Sequence, residues 1–173
     1  IGFARELSAI FGRKLKKNYF TDKNYNFAGD NKLSVEIKCP ESAYRYTGLV
    51  VKNIKIEESP DWLKARISAL GMRPINNIVD ITNYVMSEIG EPMHAFDRKK
   101  LSGDKIIVRM AEDSEKLSTL DGSEHDLTKD DIVIADNTKP IALAGVMGGA
   151  NSEIDDSTSE IVLEAACFNA VNI

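Results

Sequence analysis

Only two histidines, His94 and His125, occur in the 173 residues. His94 follows Glu91-Pro92-Met93, just past a helical pattern and a rigid Gly-Glu-Pro turn. An imidazole near neutrality can orient a water or take its proton. Three polar residues that a plain core helix does not need, Arg73, Thr82 and Asn83, lie upstream. Glu164 ends the apolar run Ile161-Val162-Leu163 and precedes Ala165-Ala166. A carboxyl in that setting is partly desolvated. It either pairs with an arginine, for which Arg73 and Arg109 are the candidates, or lines a pocket and receives a donor. Gly145-Val146-Met147-Gly148-Gly149 follows an apolar strand pattern. Its glycines allow a sharp turn and close approach of a ligand to backbone N–H groups, which suit a carboxylate, a phosphate or a developing oxyanion. On these residues alone an idle loop histidine and a plain tight turn remain open alternatives. His125, within Ser-Glu-His-Asp-Leu, reads as an exposed bystander.

Other chemistries lack their signatures. The glycine turn is neither a dinucleotide fingerprint nor a phosphate loop with its Lys-Ser/Thr. Two scattered histidines with no close His/Cys/Asp cluster do not make a zinc site, and Asp155-Asp156 lacks calcium-loop spacing, so no metal is expected. No nucleophile elbow or Ser-His-Asp order occurs, so a hydrolase here uses a bound water. Cys39 and Cys167 fit two reduced thiols. No apolar run approaches the ~18 residues of a membrane span, and no secretory leader pattern opens the chain. A cytoplasmic protein is expected. The first residue is Ile rather than Met, as expected of a piece of a larger protein.

Net charge is −5, with 43% hydrophobic and 28% charged residues, ordinary for a globular domain. Residues 1–40 carry eight Lys/Arg against four Asp/Glu; the remainder carries fourteen against twenty-three. Arg13, Lys14, Lys16 and Lys17 form a basic cluster, read as a solvated face or a phosphate-facing patch. A nucleic-acid reader working by its own electrostatics is more basic than this.

The elements that must hold these residues follow from periodicity. Phe3 to Phe11 reads as a short amphipathic helix with Phe3, Leu7 and Ile10 on one side and Gly12 as its stop. Thr21 to Asn31 reads as a loop. Leu33 to Lys38 and Arg45 to Ile56 read as strands. Ser59 caps a helix with Pro60 at its first position, with Trp62 as a packing anchor in the stripe Trp62, Leu63, Ile67, Leu70. A second helix runs from Asn76 to Glu88, with Ile78, Ile81, Val85 and Ile89 on one face, Val79, Thr82 and Met86 in an adjacent row, and Gly90 as its stop. Strands are expected at Lys105–Met110, Asp131–Ala135, Ile141–Val146 and Glu160–Ala165, with a turn at Asn137–Pro140. Lys116 to Leu127 forms a hairpin about Asp121-Gly122. The fold class is α+β: mixed and antiparallel β-sheets with several packed helices and a β-rich C-terminal half.

The stretches RPINNIVDITNYVMSEIGEPMHAFD, LDG, IADNTKPIALAGVMGG and SEIVLEAACF, in that order, resemble the editing domain of the bacterial phenylalanine–tRNA ligase beta subunit. The resemblance covers the chain from about Ser34 to its end. It implies residues 1–32 as a leading helix and loop, and 33–173 as the editing domain, C-terminally truncated. It implies hydrolysis of tyrosine wrongly attached to tRNA(Phe), with the alternative of a noncatalytic binding or structural module of the synthetase. Carried over by motif, His94 and Asn83 place the hydrolytic water. Glu164 recognises the tyrosine hydroxyl, Arg73 and Thr82 line the cavity, and Gly145 and Gly148 border it. The implied partners are the acceptor end of tRNA(Phe) and the alpha subunit of a heterotetramer. ATP and magnesium are implied for the whole enzyme, and no cofactor for this piece. Given the acidic balance, the isolated piece is expected to deacylate weakly or not at all.

Overall fold

A computed structural model describes residues 1–16 and 33–173. The loop expected at Thr21–Asn31 lies outside the described residues, as does Lys17 of the basic cluster. Helix α1 spans Gly2–Phe11 and ends at Gly12 in the left-handed conformation. β1 (Ser34–Ile37) and β2 (Ala43–Lys52) follow, then α2 (Asp61–Ala69) and α3 (Asn77–Ile89). Next come β3 (Met93–Asp97), β4 (Lys105–Met110), β5 (Lys116–Ser118) and β6 (Glu124–Asp126). β7 (Ile132–Ala135), β8 (Pro140–Leu143), β9 (Met147–Gly148) and β10 (Glu160–Phe168) complete the order. The architecture is α+β, as the periodicity implies.

Two sheets carry the core. The larger has the order β1-β4-β7-β8-β9, with β1 parallel to β4 and the other pairs antiparallel. The smaller, β2-β10-β3, is antiparallel with β10 in the middle. Side chains alternate between faces along a strand. Tyr46, Phe96 and Val162 of the small sheet therefore pack with Ile106, Val108, Ile132, Ile134 and Ile141 of the large one. Ala95, Ile161 and Leu163 point the other way and meet Ile78 and Val79 of α3. The small sheet is thus a middle layer, covered on one face by helix and on the other by sheet.

Several local expectations change. His94 was read as a loop residue; it lies inside β3, a five-residue strand hydrogen-bonded to β10. The strand expected over Ile141–Val146 breaks at Gly145, whose φ of 70° turns the chain, so β8 and β9 form a hairpin. His125 is half-buried rather than exposed, with Nε2 3.0 Å from Thr119 Oγ1. Trp62 is 55% exposed and anchors no core; it sits edge-on to Tyr84, with the Arg66 guanidinium over both rings. The apolar side of α1 is open, with Phe3 89% exposed.

Helix α3 begins as expected: Asn76 accepts from the backbone N–H groups of Ile78 and Val79 at 3.1 and 3.0 Å. Its inward face is rotated from the expected stripe toward the adjacent row, taking in Val79 and Thr82. Asp80 and Thr82 are buried, whereas Ile81 and Ile89 are exposed. The cause is Asp80, which is inaccessible to solvent and must be satisfied internally. The Ser59 hydroxyl donates to its Oδ2 at 2.5 Å and the Ile75 N–H to its Oδ1 at 2.9 Å. Ser59 therefore does not cap α2, and Pro60 stands at the N-cap position instead of the first helical one. This carboxylate fixes the segment from Arg73 to Asn76 between the two helices. Asp80→Ala removes both acceptors and is expected to lower unfolding free energy by about 3 kcal/mol in urea titration; a loss below about 0.5 kcal/mol contradicts that role.

Candidate active site

Strand register brings the chemistry together. In β10, Glu164 stands directly opposite His94 of β3 on one side and Gly48 of β2 on the other. Directly opposed residues share a face, with Cβ atoms about 5 Å apart where both have one. The face is the one turned toward the large sheet. There a cavity of about 240 Å³ opens between the layers. Its wall includes Met93 and His94 of β3, Ile134 of β7, Gly145 and Gly148 of the β8–β9 hairpin, and Glu164 and Phe168 of β10. His94 and Glu164 are the ionisable groups in that lining; the rest is apolar or glycine.

The two polar side chains differ in how they are satisfied. Glu164 is 8% exposed, and its Oε2 accepts from the Tyr46 hydroxyl at 3.2 Å. Neither expected arginine is its partner: Arg109 forms a two-pronged pair with Glu115 at 2.8 and 2.6 Å, and Arg73 is exposed on the α2–α3 connection. Among the described residues, His94 Nε2 is the buried side-chain polar atom without a hydrogen-bond partner. The ring packs edge-on against Phe96, with centroids 4.6 Å apart. Gly148 also lies against the ring, where a Cβ would come within 2.5 Å of Nε2. Glycine at position 148 is what makes room for the imidazole. A buried nitrogen left unpaired is costly in a finished core, and at a cavity wall it is a ready partner for a ligand or a water.

Burial sets both protonation states. It pushes the Glu164 carboxyl up to about 7, against the Tyr46 hydrogen bond, which pulls it down. It lowers the His94 imidazole to about 4. Burial, reinforced by Glu164, also raises the Tyr46 phenol well above its ordinary value, so Tyr46 remains a donor. Near neutrality the cavity holds a neutral imidazole and a carboxyl that is readily ionised. That combination suits recognition of a hydroxyl donor and placement of a water.

Of the residues singled out by sequence, the structure gathers His94, Glu164, Gly145 and Gly148 into the lining of one cavity. Arg73, Thr82 and Asn83 stand elsewhere. Thr82 is buried, its hydroxyl donating to the Val79 carbonyl at 2.8 Å, and Asn83 is half-buried on α3 with its carbonyl accepting from Ser87. Tyr46 had no sequence signal beyond strand periodicity. Among the described residues no group of three or more His, Cys, Asp or Glu is placed to hold a metal ion, and no helix is long and apolar enough to cross a membrane.

Comparison with known proteins gives a consistent pattern. The model of the B3/4 domain family matches residues 42–173. The phenylalanine–tRNA ligase beta subunit of Carboxydothermus hydrogenoformans is 50% identical over 173 residues, covering 100% of this chain and 21% of that one. Its counterpart in Protochlamydia amoebophila is 48% identical over 171 residues, covering 99% and 21%. The chain thus spans about a fifth of the length of the curated relatives it matches. Among solved structures, an N-terminal fragment of the phenylalanyl-tRNA synthetase beta subunit from Pyrococcus horikoshii has a TM-score of 0.62 at 13% identity, over 87% of this chain and 47% of that one. At that identity the likeness speaks for the fold.

The protonation states make a testable signature. Glu164 keeps its proton in the fold at pH values where the unfolded chain has lost it. Its contribution to stability is full below about pH 4.5 and is lost as pH rises through about 7. His94 acts in the opposite sense, contributing fully above about pH 6.5 and losing that contribution as pH falls through about 4. The two nearly cancel in the parent between those limits. Glu164→Gln exposes one of them: relative to the parent, its unfolding free energy is expected to rise between about pH 4.5 and 7, by up to about 3 kcal/mol. Urea unfolding at a series of pH values reads this, and a pH-independent difference contradicts it.

Proposed function

Because the chain belongs to the B3/4 domain family, in the form carried by phenylalanine–tRNA ligase beta subunits, we propose that its cavity edits tyrosine mischarged onto tRNA(Phe). The observation that carries this reading is the pairing, on one wall of an otherwise apolar cavity, of a buried carboxyl with an unpartnered imidazole nitrogen. At about 240 Å³ the cavity is smaller than the ~300–1,000 Å³ clefts that take drug-sized ligands, and it suits a single amino-acid side chain.

The reaction follows from one hydroxyl. A charging pocket shaped for phenylalanine rejects tyrosine only partly, whereas a site that hydrogen-bonds the hydroxyl strongly disfavours the residue that lacks it. The tyrosine phenol donates to the Glu164 carboxyl, and ionisation of that carboxyl strengthens the bond. Phenylalanine in the same place leaves the buried carboxyl without that donor, at a cost of roughly 1–3 kcal/mol. A water held by His94 Nε2 attacks the ester carbon. Its oxygen bonds to that carbon and the carbon–oxygen bond to the ribose breaks. A water proton passes to the ribose oxygen, giving free tyrosine and uncharged tRNA. Gly145 turns the chain at the cavity border, and Gly148 makes room for the His94 ring that holds the water. Arg73, Thr82 and Asn83 lie outside the lining, and no step of this reaction uses them.

In this reading the acceptor end of tRNA(Phe) reaches the cavity within an assembly with the alpha subunit, in a heterotetramer. ATP and magnesium serve aminoacylation on that other subunit and take no part here. The decisive assay uses the two-subunit ligase with a full-length beta subunit. Glu164→Ala and His94→Ala are each expected to slow clearance of tyrosyl-tRNA(Phe) by about tenfold or more while phenylalanine charging persists. Unchanged clearance in both variants leaves the domain a noncatalytic module of the synthetase.

A further inference from the structure

Tyr46 is the polar neighbour of Glu164 that the proposed reaction does not use. Its placement follows from the register of β2 on β10. Gly48 is paired with Glu164 and Tyr46 with Ala166, so Tyr46 is the diagonal neighbour of Glu164 on the same face. A Cβ at position 48 would meet Leu33 Cδ2 at 2.8 Å, so glycine there makes room for Leu33. With glycine there, the Tyr46 ring lies alongside, Cε1 3.8 Å from where a Cβ would stand, and its hydroxyl reaches Glu164 Oε2. Tyr46 is 7% exposed and belongs to the core between the sheets, so the ring is held by packing and the hydroxyl by its one acceptor.

We propose that Tyr46 is a positioning residue for hydroxyl recognition: it holds the Glu164 carboxyl by Oε2 in a single orientation and leaves Oε1 for the hydroxyl of the bound amino acid. The inference rests on the editing reading above. A buried carboxyl with no fixed partner samples several rotamers and must be ordered at each binding event, which weakens binding. Tyr46 settles that ordering in advance. It also forces a division of labour between the oxygens. The phenol keeps its proton and donates it to Oε2, so a proton carried by Glu164 sits on Oε1, where it blocks an incoming donor until the carboxyl ionises. The groups facing Glu164 are few: Tyr46 and Gly48 from β2, His94 from β3, and apolar residues or glycine from β7 and the β8–β9 hairpin. Losing the Tyr46 hydroxyl therefore lets the carboxyl hold its proton to higher pH, because this hydrogen bond is what opposes the effect of burial.

The test is Tyr46→Phe, which keeps the ring, in the two-subunit ligase, with tyrosyl-tRNA(Phe) clearance followed between about pH 5.5 and 9. Near pH 7 the expected result is a KM raised about tenfold with kcat little changed, and a pH profile whose rising limb moves up by about one unit. Glu164→Gln is expected to flatten that limb, and adding Tyr46→Phe to it costs less than about twofold more. Three results overturn the proposal. One is a Tyr46→Phe profile that superimposes on the parent. A second is a loss equal at every pH and undiminished in the Glu164→Gln background, the mark of a packing role alone. Normal clearance with an unchanged pH profile in Glu164→Gln is the third, and it removes the role of ionised Glu164 on which the inference rests; the editing reading itself stands or falls by Glu164→Ala and His94→Ala.

Discussion

Strand β10 is paired on both sides, and this double pairing fixes everything the cavity does. Glu164 could not be moved along β10 by one residue without turning its carboxyl from the inter-sheet face to the face covered by α3. The register is locked by what lies on each face: Val162 and Phe96 toward the large sheet, Ile161 and Ala95 toward the helix. Buried apolar side chains at these alternating positions contribute roughly 1.5–3 kcal/mol each. The position of one polar group is thus enforced by the apolar residues around it.

The same arrangement carries a cost that the fold meets unevenly. Asp80 and Glu164 are both buried carboxyl groups. Asp80 receives a hydroxyl and a backbone N–H and serves to tie α2, α3 and their connection together. Glu164 receives one phenol, and it faces an imidazole nitrogen that has no partner. The first is a closed network of structural kind. The second is left incomplete at a cavity wall, where an incoming hydroxyl and a water can complete it. Glycine accounts for part of the arrangement: Gly148 lets the His94 ring lie against the β8–β9 hairpin.

Much of this was legible in the residues. Asn76 and Gly90 mark the ends of α3, Asp121-Gly122 marks the β5–β6 turn, and Glu164 after an apolar run signals a desolvated carboxyl. Strand β3 was not legible, because Met93 to Asp97 is short, follows a proline and finds its partner some seventy residues later in β10. Pairing at that distance leaves no local trace. For the same reason Arg109 and Arg73 were plausible partners of Glu164, and Tyr46, an ordinary strand tyrosine by sequence, was not. Hydrophobic spacing places Ile78 and Val79 of α3 inward but not the departure of Ile81 and Ile89 toward solvent, because a buried carboxyl with its own donors, Asp80, leaves no mark in that spacing.

The proposed editing reaction depends on Glu164 receiving the hydroxyl that separates tyrosine from phenylalanine. The most direct measurement is a crystal structure of the two-subunit ligase bound to tyrosyl-adenosine with an amide in place of the ester. The phenol oxygen is expected within about 3 Å of the Glu164 carboxyl, in hydrogen-bonding geometry, with the amide carbon facing His94. A tyrosyl ring absent from this cavity, or one whose hydroxyl points away from Glu164, contradicts it.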